Sequence, residues 1–439
     1  MGNEQDPKKK GFSFGDLGKK VDQTVDNLRH GVDRLGDTLD KKMAPEDPLF
    51  TRPIHSPPED TAPRVLVKGG IDLPFLFIVI ALTVFGAVMA YSASSVYADQ
   101  YHGDSAYYFK RHIIYLLIGV VAAIPFVLKA RPWFWRMFGV AAYVGAVLLL
   151  LLVLIIGSSY GSGATRWIQI GPVSVQPSEI AKMAVIMVIA LVMSKYEKQI
   201  KNHQKFGGHL RYGVIYPMVI FGFICVLVML ERHLSGIIII GLLGLATMFI
   251  GGTRGKYLAW IVGICLVGVL LVLAVSDYAQ TRVITWLFIE DVDPLGSAWQ
   301  TLQGLNAIGS GGFFGKGLGN SQQKYGYVSQ PQNDFIFTIV CEELGFIGAV
   351  CTVVLFGLLV WRGFKIAAKS PDKFCSIVVY GLVLKVALQT ILNIAVVTNS
   401  MPNTGIALPF FSSGGTAIIL QLFEMGIILA ISRYSYQKR

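Results

Sequence analysis

Charge is scarce in this sequence. Asp, Glu, Lys and Arg make up 15% of its 439 residues, where water-soluble domains carry about a quarter, so bulk water is the wrong solvent for most of the chain. Cysteine is sparse too. Cys225, Cys265, Cys341, Cys351 and Cys375 stand without CxxC spacing, which points away from a metal cluster or disulfide framework and toward packing residues. The GxxxxGK[ST] spacing of a P-loop is absent, and no signal-peptide pattern opens the polar first 70 residues.

What remains is apolar. Hydrophobic residues make up 53% and the mean hydropathy is +0.56. Long runs recur at 73–93, 113–128, 137–157, 183–194, 213–230, 236–252, 258–275, 344–361, 376–399 and 414–432. Several reach the roughly 20 residues that cross a bilayer, and flanking residues complete the shorter ones. Ten such runs in series predict an all-α polytopic membrane protein with about ten transmembrane helices and a long outer loop between spans seven and eight.

The net charge of +11 arises after residue 70, because residues 1–70 balance twelve basic against twelve acidic residues. Lys129, Arg131 and Arg136, then Lys195 to Arg211, then Arg254 and Lys256, then Arg362 to Lys373, and finally Arg433 to Arg439 fall between alternate spans. The positive-inside rule places these connections and the N-terminus in the cytoplasm. That distribution accounts for the basic pI without nucleic-acid binding.

Residues 1–70 read as a cytoplasmic extension. Val21, Val25, Leu28, Val32, Leu35 and Leu39 form a short heptad stripe, marginal as an isolated helix. A disordered linker rich in Pro, Asp and Glu follows over 44–63. The membrane domain is expected over 71–433, with an extracytoplasmic loop at 276–343 and a cytoplasmic tail at 434–439.

The chemistry-bearing residues lie at the outer side. Pro177 suits a first helical turn, and Glu179 and Lys182 follow three apart on one face, able to pair structurally or to line a polar cavity. Lys385 and Glu424 fall at matched depths of about 14 Å on consecutive spans, predicting a buried pair. Glu290, Asp291 and Asp293 place three carboxylates within four residues, where one near the membrane surface can serve as a general base. Asn306 to Asn320 is glycine-rich and carries Lys316. It suits either an anion cradle or a structural re-entrant loop.

Together with Tyr91-Ser92-Ala93-Ser94, Arg166-Trp167, Gln176-Pro177-Ser178-Glu179, Asp293-Pro294-Leu295-Gly296, Gly315-Lys316-Gly317, Asp334-Phe335, Glu342-Glu343-Leu344-Gly345, Leu408-Pro409-Phe410 and Ser413-Gly414-Gly415, these motifs run in order along the chain. They resemble the SEDS family of shape, elongation, division and sporulation proteins, such as RodA and FtsW, over about residues 71–433.

The resemblance implies a ten-span peptidoglycan glycosyltransferase that polymerises lipid II, an undecaprenyl-pyrophosphoryl disaccharide-peptide, on the outer face of the bacterial cytoplasmic membrane. Asp293 matches the family's catalytic aspartate, and Glu179 and Lys182 match its cavity pair. By analogy Arg166, Lys316 and Arg111 hold pyrophosphate or sugar. The implied partner is a class B penicillin-binding protein transpeptidase. No cofactor is implied beyond a divalent cation that the carboxylates near Asp293 could bind, without diagnostic ligand spacing. Glu231-Arg232-His233-Leu234-Ser235-Gly236, Gln332-Asn333-Asp334-Phe335 and Ser412-Ser413-Gly414-Gly415 depart from the family pattern. The rival readings are a flippase of the same lipid and a noncatalytic transpeptidase scaffold.

Overall fold

The computed structural model describes residues 64–157, 166–170, 173–201, 206–275, 277–293, 295–296, 298–329, 331–412 and 414–438. The heptad stripe, the linker at 44–63, Pro294 and Ser413 lie outside the described residues.

Among the described residues, and leaving aside two short helical turns at Glu197–Lys201 and Phe206–Leu210, twelve helices organise the bundle: α1 (Leu73–His102), α2 (Tyr107–Lys129), α3 (Pro132–Ile156), α4 (Pro177–Lys195), α5 (Tyr216–Leu230), α6 (Leu234–Gly251), α7 (Gly255–Val275), α8 (Asp277–Leu287), α9 (Trp299–Ser310), α10 (Ile336–Ala368), α11 (Lys373–Val397) and α12 (Gly415–Ser432). A π-turn at Arg211–Ile215 leads into α5, so that span begins at Gly208. Among the described residues nine helices are long and apolar enough to cross a bilayer, which makes this a multi-pass membrane protein. The tenth expected span coincides with α7, a helix of 21 residues that opens with the apolar stretch Gly255–Gly268.

Local chemistry places the helix starts. Pro132 and Pro177 open α3 and α4, where the missing N–H costs no helical bond. Asp72 caps α1 by accepting from Phe75 N at 3.0 Å, and Asp372 caps α11 by accepting from Cys375 N at 2.7 Å. Both caps also join helices. Arg362 of α10 forks onto Asp72 at 2.9 and 2.8 Å, and Arg136 of α3 reaches Asp372 at 2.6 Å.

Burial sorts centre from rim. The apolar windows of α12, α4 and α11 are 78%, 72% and 61% buried, against 22% for α2 and α3, so α4, α11 and α12 form the axis. Glycine lets them touch: Gly381 of α11 lies against Ile186 of α4, and a Cβ on Gly139 of α3 would stand 2.8 Å from Met187 Cβ.

The all-α expectation needs two small corrections. β1 (Arg64–Lys68) pairs antiparallel with β4 (Tyr434–Lys438), so the expected extension and tail zip together beside the ends of α1 and α12. β2 (Ile168–Ile170) and β3 (Val173–Val175) make a second ribbon ahead of α4. The long connection after α7 is also less irregular than expected. It contains α8 and α9, and α10 begins at Ile336 rather than near residue 344. That helix is broken at Gly345, whose φ of 67° and ψ of −162° lie in a region open to glycine alone.

Candidate active site

Four charges meet where α4, α11 and α12 converge. Glu179 and Lys182 share the N-terminal half of α4, and Lys182 Nζ donates to Glu179 Oε1 at 2.6 Å. Lys385 Nζ donates to both oxygens of Glu424 at 2.7 Å. The two pairs lie close enough to interact electrostatically. Two cations and two anions leave no net charge, which is what a low-dielectric setting demands. The side chains are nearly covered, at 12% and 4% exposed for Glu179 and Lys182 and 1% and 0% for Lys385 and Glu424. In this structure the quartet braces the bundle, with Glu179 its most accessible member.

From Glu179 the network continues toward the loops. The half-buried His233 ring lies 3.4 Å from Ser178 Oγ. Burial, reinforced by the charges of Arg166 and Lys182, holds this imidazole down at about 3. Arg166 Nη2 donates to Arg232 O at 2.7 Å, tying the segment just ahead of β2 to the α5–α6 turn. Arg232 turns that corner with φ 56°, a left-handed conformation that costs a non-glycine residue about 1 kcal/mol or more. Beside it Glu231 is 1% exposed, and neither carboxylate oxygen has a hydrogen-bond partner among the described residues. Burial pushes this carboxyl up to about 8 against the opposing pull of Arg166.

The glycine-rich segment is a wedge. Lys316 N and Gly317 N donate to Glu342 O and Glu343 O, both at 2.9 Å, and Phe346 N donates to Gly312 O at 2.9 Å. The break at Gly345 exposes these backbone groups, and the loop satisfies them. Contact is backbone to backbone, since a Cβ on Gly311, Gly315 or Gly345 would collide with the opposite chain. The anion-cradle reading fits poorly, because the cations are engaged. Lys316 Nζ pairs with fully buried Glu342 at 2.8 Å, and Lys324 Nζ pairs with fully buried Glu343 at 3.2 Å. Ser92 Oγ of α1 also donates to Glu343, at 2.6 Å.

Asp293 sits in a tight turn. Its Oδ1 accepts from Leu295 N and its carbonyl from Gly296 N, both at 3.0 Å. Asp293 is exposed, as are Glu290 and Asp291. The turn hangs from α8, where Trp286 Nε1 donates to Asn399 O at 3.0 Å and Arg282 donates to Asn403 O. Ile284, Leu287 and Phe288 leave an apolar surface exposed along α8, the mark of a helix lying at a membrane surface. Below it, enclosure pushes the Asp334 carboxyl up to about 6. Asn393 Nδ2 bridges Asp334 O and Ile406 O at 2.7 Å each.

Glu179, Lys182 and Arg166 thus belong to one network, while Asp293 and Lys316 are held in turns of their own. Arg111 lies on α2 with its guanidinium donating to Tyr115 Oη at 3.0 Å and Tyr107 Oη at 3.3 Å. Among the described residues no three His, Cys, Asp or Glu side chains gather as metal ligands, so the carboxylates near Asp293 form no ready cation site. Sequence reasoning assigned no role to Glu342, Glu343 or Ser92. The signal was present, since two adjacent acids in an apolar run require partners.

Fold and site together define a polytopic membrane protein with paired charges at its axis and a carboxylate turn at one membrane surface. The chain belongs to the FtsW, RodA and SpoVE family, described as cell cycle proteins, whose model matches residues 73–437. It is 38% identical over 370 residues to stage V sporulation protein E of Bacillus subtilis, covering 84% of this chain and 98% of that protein. It is 35% identical over 362 residues to the probable peptidoglycan glycosyltransferase FtsW of Geobacter metallireducens, covering 82% and 94%. Among solved structures it resembles a chain from work on the structural coordination of polymerization and crosslinking by a peptidoglycan synthase complex. That match has a TM-score of 0.67 at 26% identity, over 83% of this chain and 98% of the other. The rod shape determining protein RodA of Thermus thermophilus matches with a TM-score of 0.60 at 25% identity, over 83% and 97%.

Proposed function

We propose that this protein is a peptidoglycan glycosyltransferase that polymerises lipid II at the outer face of the cytoplasmic membrane. Family membership sets the class of reaction, and one observation carries the site: Asp293 stands exposed in a turn beside α8, whose apolar surface suits the membrane boundary. A lipid-linked sugar reacts at that level, because its tail holds it there.

Asp293 acts as general base. It takes the proton from the acceptor sugar's 4-hydroxyl as that oxygen bonds to the anomeric carbon of the donor. The bond from that carbon to the pyrophosphate oxygen breaks, and polyprenyl pyrophosphate leaves with the electron pair. Arg166 and Arg111 hold pyrophosphate or sugar by charge-assisted hydrogen bonds. Lys316 joins them only by leaving Glu342. Glu179, the accessible member of the quartet, faces the bound substrate with Lys182. The N-terminus and the basic connections lie in the cytoplasm, with residues 1–70 as an extension and 434–439 as a tail. A class B penicillin-binding protein cross-links the product.

Reconstitution into vesicles with lipid II, with and without a cognate transpeptidase, tests this reading. Glycan strands from the unaltered protein and none from Asp293→Asn are expected. Lipid II crossing the vesicle without strands from either protein would replace the enzyme with a flippase. Strands made equally well by Asp293→Asn would remove the general base.

A further inference from the structure

α1, α2 and α12 leave a groove between them in the half of the membrane nearer the chain termini. It encloses about 360 Å³ and is walled by apolar side chains, including Val79 and Ile80 of α1, Ile124 and Leu128 of α2, and Met425 of α12. Its floor is thin. A Cβ on Gly426 would stand 2.8 Å from Ala123 Cβ, so α2 and α12 meet closely while the larger residues on either side stand up as rims. Ile80, Ile124 and Leu128 are exposed along those rims.

Positive charge collects at one end. Lys129 follows Leu128 directly, Arg131 precedes the first residue of α3, and both are exposed. Arg433, one turn beyond Leu429 of the groove, donates to Leu128 O at 2.7 Å and to Val127 O. Asp72, which begins this corner, gives both oxygens to Arg362, so among the described residues no carboxylate pairs with these cations. A concave apolar channel ending in three cations is complementary to an amphiphile with a hydrocarbon chain and an anionic head.

We propose that the groove is a site for one acyl chain of an anionic phospholipid from the leaflet at the terminal end, with its phosphate on Lys129, Arg131 and the outer edge of Arg433. A zwitterionic lipid can lay the same chain in the channel but gains less from the cations. A substrate headgroup engaged at the Asp293 turn lies at the opposite membrane surface, so this site is separate from the proposed chemistry and does not depend on it. The occupant also bears on the fold. Arg433 holds the end of α2, and its carbonyl accepts from Gly69 N at 2.7 Å, beside the β1–β4 ribbon. A bound headgroup therefore steadies the corner at which extension and tail meet.

Titration of the full chain in detergent with dioleoyl phosphatidylglycerol or dioleoyl phosphatidylcholine, read by native mass spectrometry and thermal shift, tests the site. Each cation near an anionic head is worth about fivefold, so phosphatidylglycerol is expected to bind about tenfold or more tighter. Lys129→Gln/Arg131→Gln, at exposed positions that leave the fold intact, should remove most of that preference. Ile124→Trp on the rim should be quenched by brominated phosphatidylglycerol more than by brominated phosphatidylcholine. Equal binding of the two lipids, a preference that survives the double substitution, or displacement by polyprenyl pyrophosphate at equal concentration overturns the proposal.

Discussion

Lys385 Nζ stands 2.7 Å from each carboxylate oxygen of Glu424, with both side chains almost completely buried. One lies on α11 and the other on α12, so the pair fixes the register of two axial helices. Such a pair is weak evidence for stability, because desolvation offsets the attraction. Breaking it is another matter, since the remaining charge has no water to turn to.

Lys385→Glu or Glu424→Lys alone should therefore abolish folded protein in the membrane fraction, as loss of one partner of a buried pair costs about 3–5 kcal/mol. The double reversal should recover a large part of the yield, although Glu179 and Lys182 meet the charges in exchanged places. Fluorescence-detected size exclusion measures this. A double variant no better than either single one would mean that the pair is not coupled as drawn.

Gly345 makes a second demand on the fold. Its positive φ and the approach of Gly315 N leave no room for a methyl group, so Gly345→Ala should cost about 3 kcal/mol or more through strain and lost loop contacts. Gly357 lies in the same helix with open space around its Cβ position. Gly357→Ala should leave the melting temperature unchanged or slightly raised. Equal melting temperatures for the two variants would contradict the wedge described between the glycine loop and the broken helix.

Glu231 gives a pH signature. Its carboxyl is raised from the ordinary carboxylate range to about 8, so the folded state holds a proton that the unfolded chain releases near 4.5. Stability from this group is present below that lower value and is lost as pH rises toward 8, by on the order of a few kcal/mol. Glu231→Gln should flatten that part of the melting-temperature profile and leave the protein more stable than the unaltered chain at pH 8. A profile of unchanged slope in Glu231→Gln would place the titration elsewhere.

Much of this architecture was legible because a bilayer tolerates few arrangements of backbone. Apolar runs had to be helices, and counting helical rise from the ends of spans nine and ten was enough to pair Lys385 with Glu424. The family motifs, read in order, led to the family that the comparison then established. What stayed hidden was decided at a distance. Lys316 finds Glu342, 26 residues on, only because the loop closes on a helix broken at Gly345. β1 meets β4 across the whole length of the membrane domain, and nothing in either five-residue strand names its partner.

The catalytic assignment can be separated from the mere presence of acids at the surface. Asp291 and Asp293 are both exposed and lie two residues apart in the same turn, so a general electrostatic or cation-binding role would be shared between them. A general base is a single positioned group, worth typically 10²–10⁴ in rate. Asp293→Asn is expected to lose that factor in turnover with its melting temperature nearly unchanged, because exposed substitutions usually stay within about 0.5 kcal/mol. Asp291→Asn should keep turnover within about threefold. A fluorescent lipid II polymerisation assay on the two purified variants decides between them, and equal losses would move the role from one carboxylate to the turn as a whole.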